Sequence, residues 1–128
     1  MAKIEAQERG LFDVVMPNQD GFIAETSSAN IFWLKNDEIY TPAKNCDIVS
    51  GTTRARLLEL LPKKIRGIKL RQVRARISVL KNCDAIFLTN AANGVIVIDE
   101  LILKGAAKKL EKKFADKIAQ IFEDDLRN

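Results

Sequence analysis

The sequence contains no histidine, and this absence removes several kinds of active site. Without imidazole there is no Ser-His-Asp or Cys-His catalytic set, no histidine metal ligand and no imidazole acid or base. The two cysteines, Cys46 and Cys83, are too few for a zinc site or a disulfide scaffold, and they favour a reducing, cytoplasmic compartment. Any reactive group must therefore come from a carboxylate, a lysine, a hydroxyl or a bound cofactor.

Long apolar runs are missing as well. No stretch approaches the roughly 20 residues that cross a bilayer, and no signal-peptide pattern opens the chain, so we expect no membrane partner. The chain has 128 residues, of which 47% are apolar and 30% charged. That composition predicts one soluble domain over residues 1–128 with a single sizeable core.

The net charge of +4 is unevenly distributed along the chain. Residues 54–76 contain nine basic side chains and a single acid, Glu59. Such a segment could contact nucleic acid or an anionic substrate. We favour a solvated surface over a nucleic-acid partner, because no aromatic side chain is interleaved to stack on bases.

Hydrophobic periodicity predicts a mixed sheet with helices packed on it. The first ten residues have a helical composition that Gly10 ends. Short apolar or alternating stretches predict strands over residues 11–16, 22–25, 30–35, 38–41, 68–73, 85–89 and 95–98. Helices are predicted over residues 51–61, stopped by Pro62, over 77–81, capped by Asn82, and over 106–126. The predicted fold class is therefore mixed α/β (α+β).

The strongest local feature is the run Ser50-Gly51-Thr52-Thr53-Arg54 at a predicted helix start. A helix N-terminus presents unpaired backbone N–H groups and a partial positive charge, and glycine lets a ligand approach the backbone closely. These properties suit a phosphate or a carboxylate. The alternative is an ordinary helix cap supplied by Ser50 or Thr52, which local chemistry alone favours.

Two loops that follow predicted strands could also line a site. Glu25 ends one strand, and Asn30 begins the next after small hydroxyl residues, so Glu25 could hold a cationic ring nitrogen. Small residues after Thr89 leave room for a ligand against the backbone. The alternatives are an exposed turn in the first case and a simple hairpin loop at Asn93-Gly94 in the second.

Taken in order, these stretches resemble the successive motifs of fold-type IV pyridoxal-phosphate enzymes, also called class IV aminotransferases. The family includes branched-chain and D-amino-acid aminotransferases and 4-amino-4-deoxychorismate lyase. The resemblance runs from about residue 11 to residue 101. It rests on Glu25, Asn30-Ile31-Phe32, Tyr40-Thr41-Pro42, Gly51-Thr52-Thr53-Arg54, Phe87-Leu88-Thr89-Asn90 and Gly94-Val95.

The resemblance implies a cofactor, pyridoxal 5′-phosphate, and a role for each matching residue. Glu25 would pair with the pyridine nitrogen, and Asn30 would support the loop of that glutamate. The backbone N–H groups of Thr52 and Thr53 would hold the phosphate, while Asn90 and Ala91 would add phosphate or substrate contacts. Alanine departs from the hydroxyl residue that aminotransferases often carry at this position. The pair Asn90-Ala91 and the run from residue 27 to 33 are closer to the lyase.

The Schiff-base lysine of the family is not found in its usual place. That lysine lies roughly 30 to 35 residues before the glutamate, a distance that places it upstream of Met1. Lys3 is the sole lysine ahead of Glu25, and it could take over the role only if the intervening helix were lost. The resemblance therefore predicts the larger, C-terminal cofactor domain without the small N-terminal domain, and we expect this chain to be inactive by itself.

Several alternatives remain open from the sequence. The parent activity would be a lyase acting on an amino-chorismate or an aminotransferase acting on branched-chain or D-amino acids, and both substrates are small anions. A homodimer is expected from the resemblance. A basic nucleic-acid-binding domain is the alternative from another class. A remnant that pairs with a separate lysine-bearing chain is a third.

Overall fold

Two five-stranded sheets and two α-helices make up the part of the chain, residues 2–7, 10–46 and 51–127, that a computed structural model describes. The strands are β1 (Ala2–Ala6), β2 (Leu11–Pro17), β3 (Ile23–Thr26), β4 (Asn30–Lys35), β5 (Glu38–Pro42), β6 (Lys69–Val73), β7 (Ala85–Asn90), β8 (Gly94–Val97), β9 (Glu100–Leu103) and β10 (Ala106–Lys109). The helices are α1 (Thr52–Lys64) and α2 (Lys113–Leu126). Short 3-10 helices cover Lys44–Cys46 and Ile77–Asn82.

The strand order places the ends of several strands at one edge. The first sheet has the order β10-β9-β1-β2-β3 and is antiparallel throughout. The second has the order β6-β5-β4-β7-β8, with β5 and β6 parallel because α1 crosses between them. The end of β7 therefore lies beside the beginning of β4 and near the end of β5.

Two apolar layers hold these elements together. Side chains such as Ile4, Val15 and Ile86 fill the space between the sheets. The opposite face of the second sheet packs against α1 and α2, where the rings of Phe32 and Phe87 stack with their centroids 4.8 Å apart. Successive strand residues point to opposite faces, so each strand of the second sheet supplies both layers.

The fold class and the seven predicted strands are confirmed, and no strand end differs from its predicted position by more than one residue. The turn after β4 also follows its sequence, since Asn36 and Asp37 both have positive φ, as a two-residue hairpin loop requires. Residues 77–82 do form a short helix, although it is a 3-10 helix and its C-cap is Cys83, not Asn82.

The helix predicted for the first ten residues is wrong. Ala2, Ile4 and Ala6 are buried on one face of β1, a period of two that fits a strand. Strands β2 and β9 hydrogen-bond to the two edges of β1 and satisfy its backbone. Long-range pairing therefore overrides the local helical composition of this segment.

Two helix boundaries also differ from the prediction. Residues 106–109 form β10, because Lys104 and Gly105, both with positive φ, make a tight hairpin with β9, and the helix begins only at Lys113. Pro62 lies inside α1, which continues to Lys64. Because Pro62 is close to the end of the helix, its missing N–H removes a single hydrogen bond. The carbonyl of Leu61 still accepts a hydrogen bond from the amide of Ile65.

Candidate functional site

The first turn of α1 has no side-chain cap among the described residues. Gly51 is the N-cap in an extended conformation, and no side chain of the described residues caps the helix there. The first helical bond runs from the amide of Ala55 to the carbonyl of Gly51 at 3.0 Å. Among the described residues, the N–H groups of Thr52, Thr53 and Arg54 have no recorded backbone partner, as the first groups of a helix ordinarily do not. A cap from Thr52 is excluded, because Thr52 is already helical, and Ser50 lies outside the described residues.

Glycine is required at position 51 by a close approach. A Cβ added there would lie 2.5 Å from Oδ1 of Asn30, a contact that real side chains do not make. Asn30 begins β4, is 7% exposed, and lies beneath the start of α1. The small size of Gly51 thus brings the helix start onto the edge of the second sheet.

A hydrogen bond joins α1 to the end of β7. The hydroxyl of Thr53 donates to the backbone carbonyl of Asn90 at 3.1 Å. The side chain of Asn90 donates to the carbonyl of Ser28 at 3.4 Å and accepts from the amide of Asn93 at 2.7 Å. These bonds bring three of the sequence motifs to one place, although the side chain of Asn90 is used within the chain itself.

A cavity of about 410 Å³ opens beside this junction. It lies between Thr52 and Thr53 on α1, the turn that begins at Ala91, and the end of α2. Gly94 closes the turn with a φ of +68°, and a Cβ there would lie 2.9 Å from the ring of Phe122. The first two residues of α1 thus line one side of the cavity, small residues of the turn line another, and Arg56 and Glu123 add one charge of each sign.

Glu25 does not line this cavity. It is half-buried on β3 and lies opposite Met16, on the face of the first sheet that points away from the core. Lys3 lies on the same face, two strands away, with its Nζ 5.8 Å from the centre of the Phe12 ring. Of the predicted site residues, the structure therefore groups Asn30, Thr52, Thr53, Asn90 and Ala91, and sets Glu25 apart on the preceding strand.

Asp13 is a buried carboxylate that the sequence analysis missed. It is 4% exposed and accepts hydrogen bonds from the hydroxyls of Ser27 and Ser28, both at 2.5 Å, and from the amide of Val14 at 2.7 Å. Burial would raise the pKa of Asp13, but these hydrogen bonds lower it below its usual range. Asp13 thus fixes the loop between Glu25 and Asn30. A signal existed, since position 13 shares the inward face of β2 with Val15.

The burial of Arg54 is the second feature that the sequence did not predict. The residue is 1% exposed, and its Nη2 donates to the carbonyl of Pro42 at 2.9 Å and to Oε1 of Gln72 at 3.1 Å. No carboxylate of the described ranges forms an ion pair with it, and its Nε has no hydrogen-bond partner there. Burial lowers the pKa of this guanidinium. The hydroxyl of Thr89, on the strand beside Asn30, is likewise buried without a partner in that part of the chain.

The other cations of the basic segment are dispersed. Arg56 forms two hydrogen bonds with Asp125 of α2, and Arg71 pairs with Glu38. The guanidinium groups of Arg74 and Arg76 each lie 4.6 Å from the ring centre of a residue outside the segment, Phe22. The nine basic residues therefore do not form one continuous surface.

Two kinds of feature are absent from residues 2–7, 10–46 and 51–127. None of the helices there is both long and apolar enough to cross a bilayer. No group of three or more cysteine, aspartate or glutamate side chains is placed to hold a metal ion in those ranges.

Comparison with known sequences identifies the family. Residues 1–101 match the family described as "Amino-transferase class IV". A provisionally named branched-chain-amino-acid aminotransferase from Aquifex aeolicus is 34% identical over 101 residues, which are 79% of this chain and 32% of that protein. One from Methanocaldococcus jannaschii is 29% identical over 91% of this chain and 42% of that protein. The chain thus spans well under half the length of these relatives.

Solved structures agree with the sequence match. An aminotransferase from Brucella abortus bound to PLP (pyridoxal phosphate) superposes with a TM-score of 0.79 at 24% identity, over 96% of this chain and 42% of that one. A provisionally named 4-amino-4-deoxychorismate lyase from Legionella pneumophila gives a TM-score of 0.79 at 26% identity, over 94% of this chain and 43% of that one. The predicted fold, that of fold-type IV enzymes, is confirmed, and the chain belongs to the class IV aminotransferase family.

Proposed function

We propose that this chain is the cofactor-binding domain of an enzyme that uses pyridoxal phosphate to act on the amino group of a small anionic substrate. The observation that carries the proposal is the start of α1, which no side chain of the described residues caps, beside the cavity of about 410 Å³. Free N–H groups and a positive dipole end suit a phosphate ester.

The residues at this end fit a phosphate. The amides of Thr52 and Thr53 would donate to it, and Asn30 with Gly51 would keep the backbone close. The turn at Ala91 would contribute backbone donors only, since alanine has no hydroxyl. Two buried polar atoms, Arg54 Nε and Thr89 Oγ1, have no hydrogen-bond partner among the described residues.

The ring end would depend on Glu25. When bound, the cofactor supplies an electron sink that acidifies bonds next to the substrate nitrogen. The carboxylate of Glu25 would accept from the ring nitrogen and hold its proton there. The hydrogen bonds of Asp13 to Ser27 and Ser28 would keep the loop after Glu25 in place.

The lysine is proposed to precede residue 1, in keeping with the small share of each relative that the chain spans. Borohydride reduction of the chain with pyridoxal phosphate tests this proposal. We expect no stoichiometric adduct, and we expect the chain by itself to be inactive. A stoichiometric adduct on Lys3 would give that role to Lys3, on the face it shares with Glu25.

Two reactions are supported by different observations. The names of the relatives favour transamination of branched-chain amino acids. The pair Asn90-Ala91 and the Legionella structure favour the lyase reaction on an amino-chorismate. Assay of the longest natural form of the protein with both substrates would separate them. A homodimer and a cytoplasmic location also remain proposals from the family resemblance, and light scattering tests the first.

The phosphate site has a sharp test at Thr52. Proline is well tolerated at the first position of a helix, and the extended Gly51 (φ −96°, ψ 147°) suits a residue before proline. Thr52→Pro therefore removes one N–H donor while keeping the helix. Thr52→Ala keeps the N–H and removes the hydroxyl, so it is the matched control.

The probes are pyridoxine 5′-phosphate and pyridoxine, which lack the aldehyde and so cannot react with lysines. Calorimetry should show a preference for the phosphate ester in the unmodified chain and in Thr52→Ala. The preference should fall by about 10- to 100-fold in Thr52→Pro, because one charge-assisted hydrogen bond is lost. If the unmodified chain binds the two probes equally well, the proposed function is contradicted. The variants are compared only where their melting temperatures match that of the unmodified chain.

A further inference from the structure

Arg54 is a buried cation in an unfavourable place. It lies in the first turn of α1, where the helix dipole is positive and disfavours a positive side chain. Its side chain is 1% exposed, yet the two oxygens that it contacts, Pro42 O and Gln72 Oε1, are both neutral. Buried charges are ordinarily paired with an opposite charge.

The neighbouring cation shows the contrast. Arg56 follows Arg54 by two residues. Its side chain is 42% exposed and donates two hydrogen bonds, of 2.8 and 2.7 Å, to the carboxylate of Asp125. The accessible arginine therefore has its charge neutralised, whereas the desolvated one has no carboxylate partner among the described residues. A hydrogen-bonding clamp between α1 and strands β5 and β6 would need only donors, and it would not need a positive charge.

We propose that Arg54 is a buried counter-charge for the phosphate group that binds at the start of α1, and that Gln72 preserves this charge by holding the guanidinium with a neutral oxygen. The inference rests on the proposed function. It is an electrostatic role and not a catalytic one, because the side chain of Arg54 turns to Pro42 and Gln72. Where the effective dielectric constant is low, the Coulomb interaction between two charges remains strong over several ångströms. The positive charge of Arg54 would therefore stabilise a bound phosphate dianion without touching it.

The test is Gln72→Glu, which replaces the neutral oxygen 3.1 Å from Arg54 Nη2 with a carboxylate of the same shape. The exposed side chain of Gln72 makes this substitution compatible with folding. Arg54→Met removes the charge without adding an anion, and Arg54→Lys restores a charge. The readout is the ratio of the dissociation constants of pyridoxine and pyridoxine 5′-phosphate, measured by calorimetry.

We expect this ratio to fall by about tenfold or more in Gln72→Glu and in Arg54→Met, and to be largely kept in Arg54→Lys. Gln72→Glu should melt at the same or a higher temperature without ligand, since the buried charge gains a partner. An unchanged ratio in Gln72→Glu, with or without a loss in Arg54→Met, would overturn the proposal and make Arg54 a structural clamp. Absence of any phosphate preference in the unmodified chain would instead overturn the phosphate site itself.

Discussion

The hydroxyl of Thr53 donates to the backbone carbonyl of Asn90 at 3.1 Å, and this single bond joins the start of α1 to the end of β7. The two residues are 37 positions apart in the sequence and belong to different motifs. Thr53 also lines the cavity where the phosphate is proposed to bind.

Thr53→Val should loosen this junction. Valine keeps the shape of threonine but leaves the Asn90 carbonyl without its donor, so the free energy of unfolding should fall by about 1 kcal/mol. Thr53→Ser, which keeps a hydroxyl, is the control and should retain most of the stability. Urea unfolding measures both, and equal losses would show that the methyl group matters more than the hydrogen bond.

Asp13→Asn should change how stability depends on pH. The folded pKa of Asp13 is lowered, so its contribution is present above its unfolded pKa of about 3.9 and is lost as pH falls through the lower folded value. The variant should be less stable than the parent at pH 7, and the difference should shrink below about pH 4. Asp20→Asn, in an exposed turn, is the control. A difference that is independent of pH would exclude Asp13 as the titrating group.

The pair Arg56 and Asp125 should couple α1 to α2 in a salt-dependent way. Its hydrogen bonds lower the pKa of Asp125 and raise that of Arg56. A double-mutant cycle with Arg56→Met and Asp125→Asn should give a favourable coupling at low salt that weakens as salt is added, because the pair is partly exposed to solvent. A coupling that does not respond to salt would mean that packing, and not charge, joins the helices.

Both cysteines should be unreactive in the folded chain. Cys46 and Cys83 are buried, and burial raises the pKa of the Cys83 thiol to about 11. Because the thiolate is the nucleophile, an aromatic disulfide reagent at pH 8 should label neither residue until the chain is unfolded. Ser78→Cys, at an exposed position, is the positive control. Rapid labelling of Cys83 in the folded chain would contradict its burial.

The sequence predicted the elements whose conformation depends mainly on neighbouring residues. Tight turns such as Asn36-Asp37 and apolar strands such as β4 and β7 follow from the sequence, because their residues have few other options. The start of α1 was also predictable, since glycine followed by two threonines suits a helix that binds an anion. The finding that Gly51 is the N-cap and that Thr52 already lies inside the helix required the structure.

The errors arise where distant segments decide the outcome. Residues 2–6 have a composition suited to a helix, yet pairing with β2 and β9 makes them a strand. The partners of Asp13 and Arg54 could not be predicted either, because they lie 12 to 18 residues away along the chain. A count of charges treats Arg54 as one more surface cation, whereas the fold buries it.

The pairing of β1 with β9 has a kinetic consequence. The middle strand of the first sheet comes from the first residues of the chain, and its neighbour is supplied near residue 100. Contacts between such distant segments close large loops, which slows folding. The second sheet and helix α1 lie within a shorter stretch of sequence, so they should form earlier, and the first sheet should be completed last. A ribosome-bound chain halted before β9 would therefore leave one edge of β1 without its partner strand.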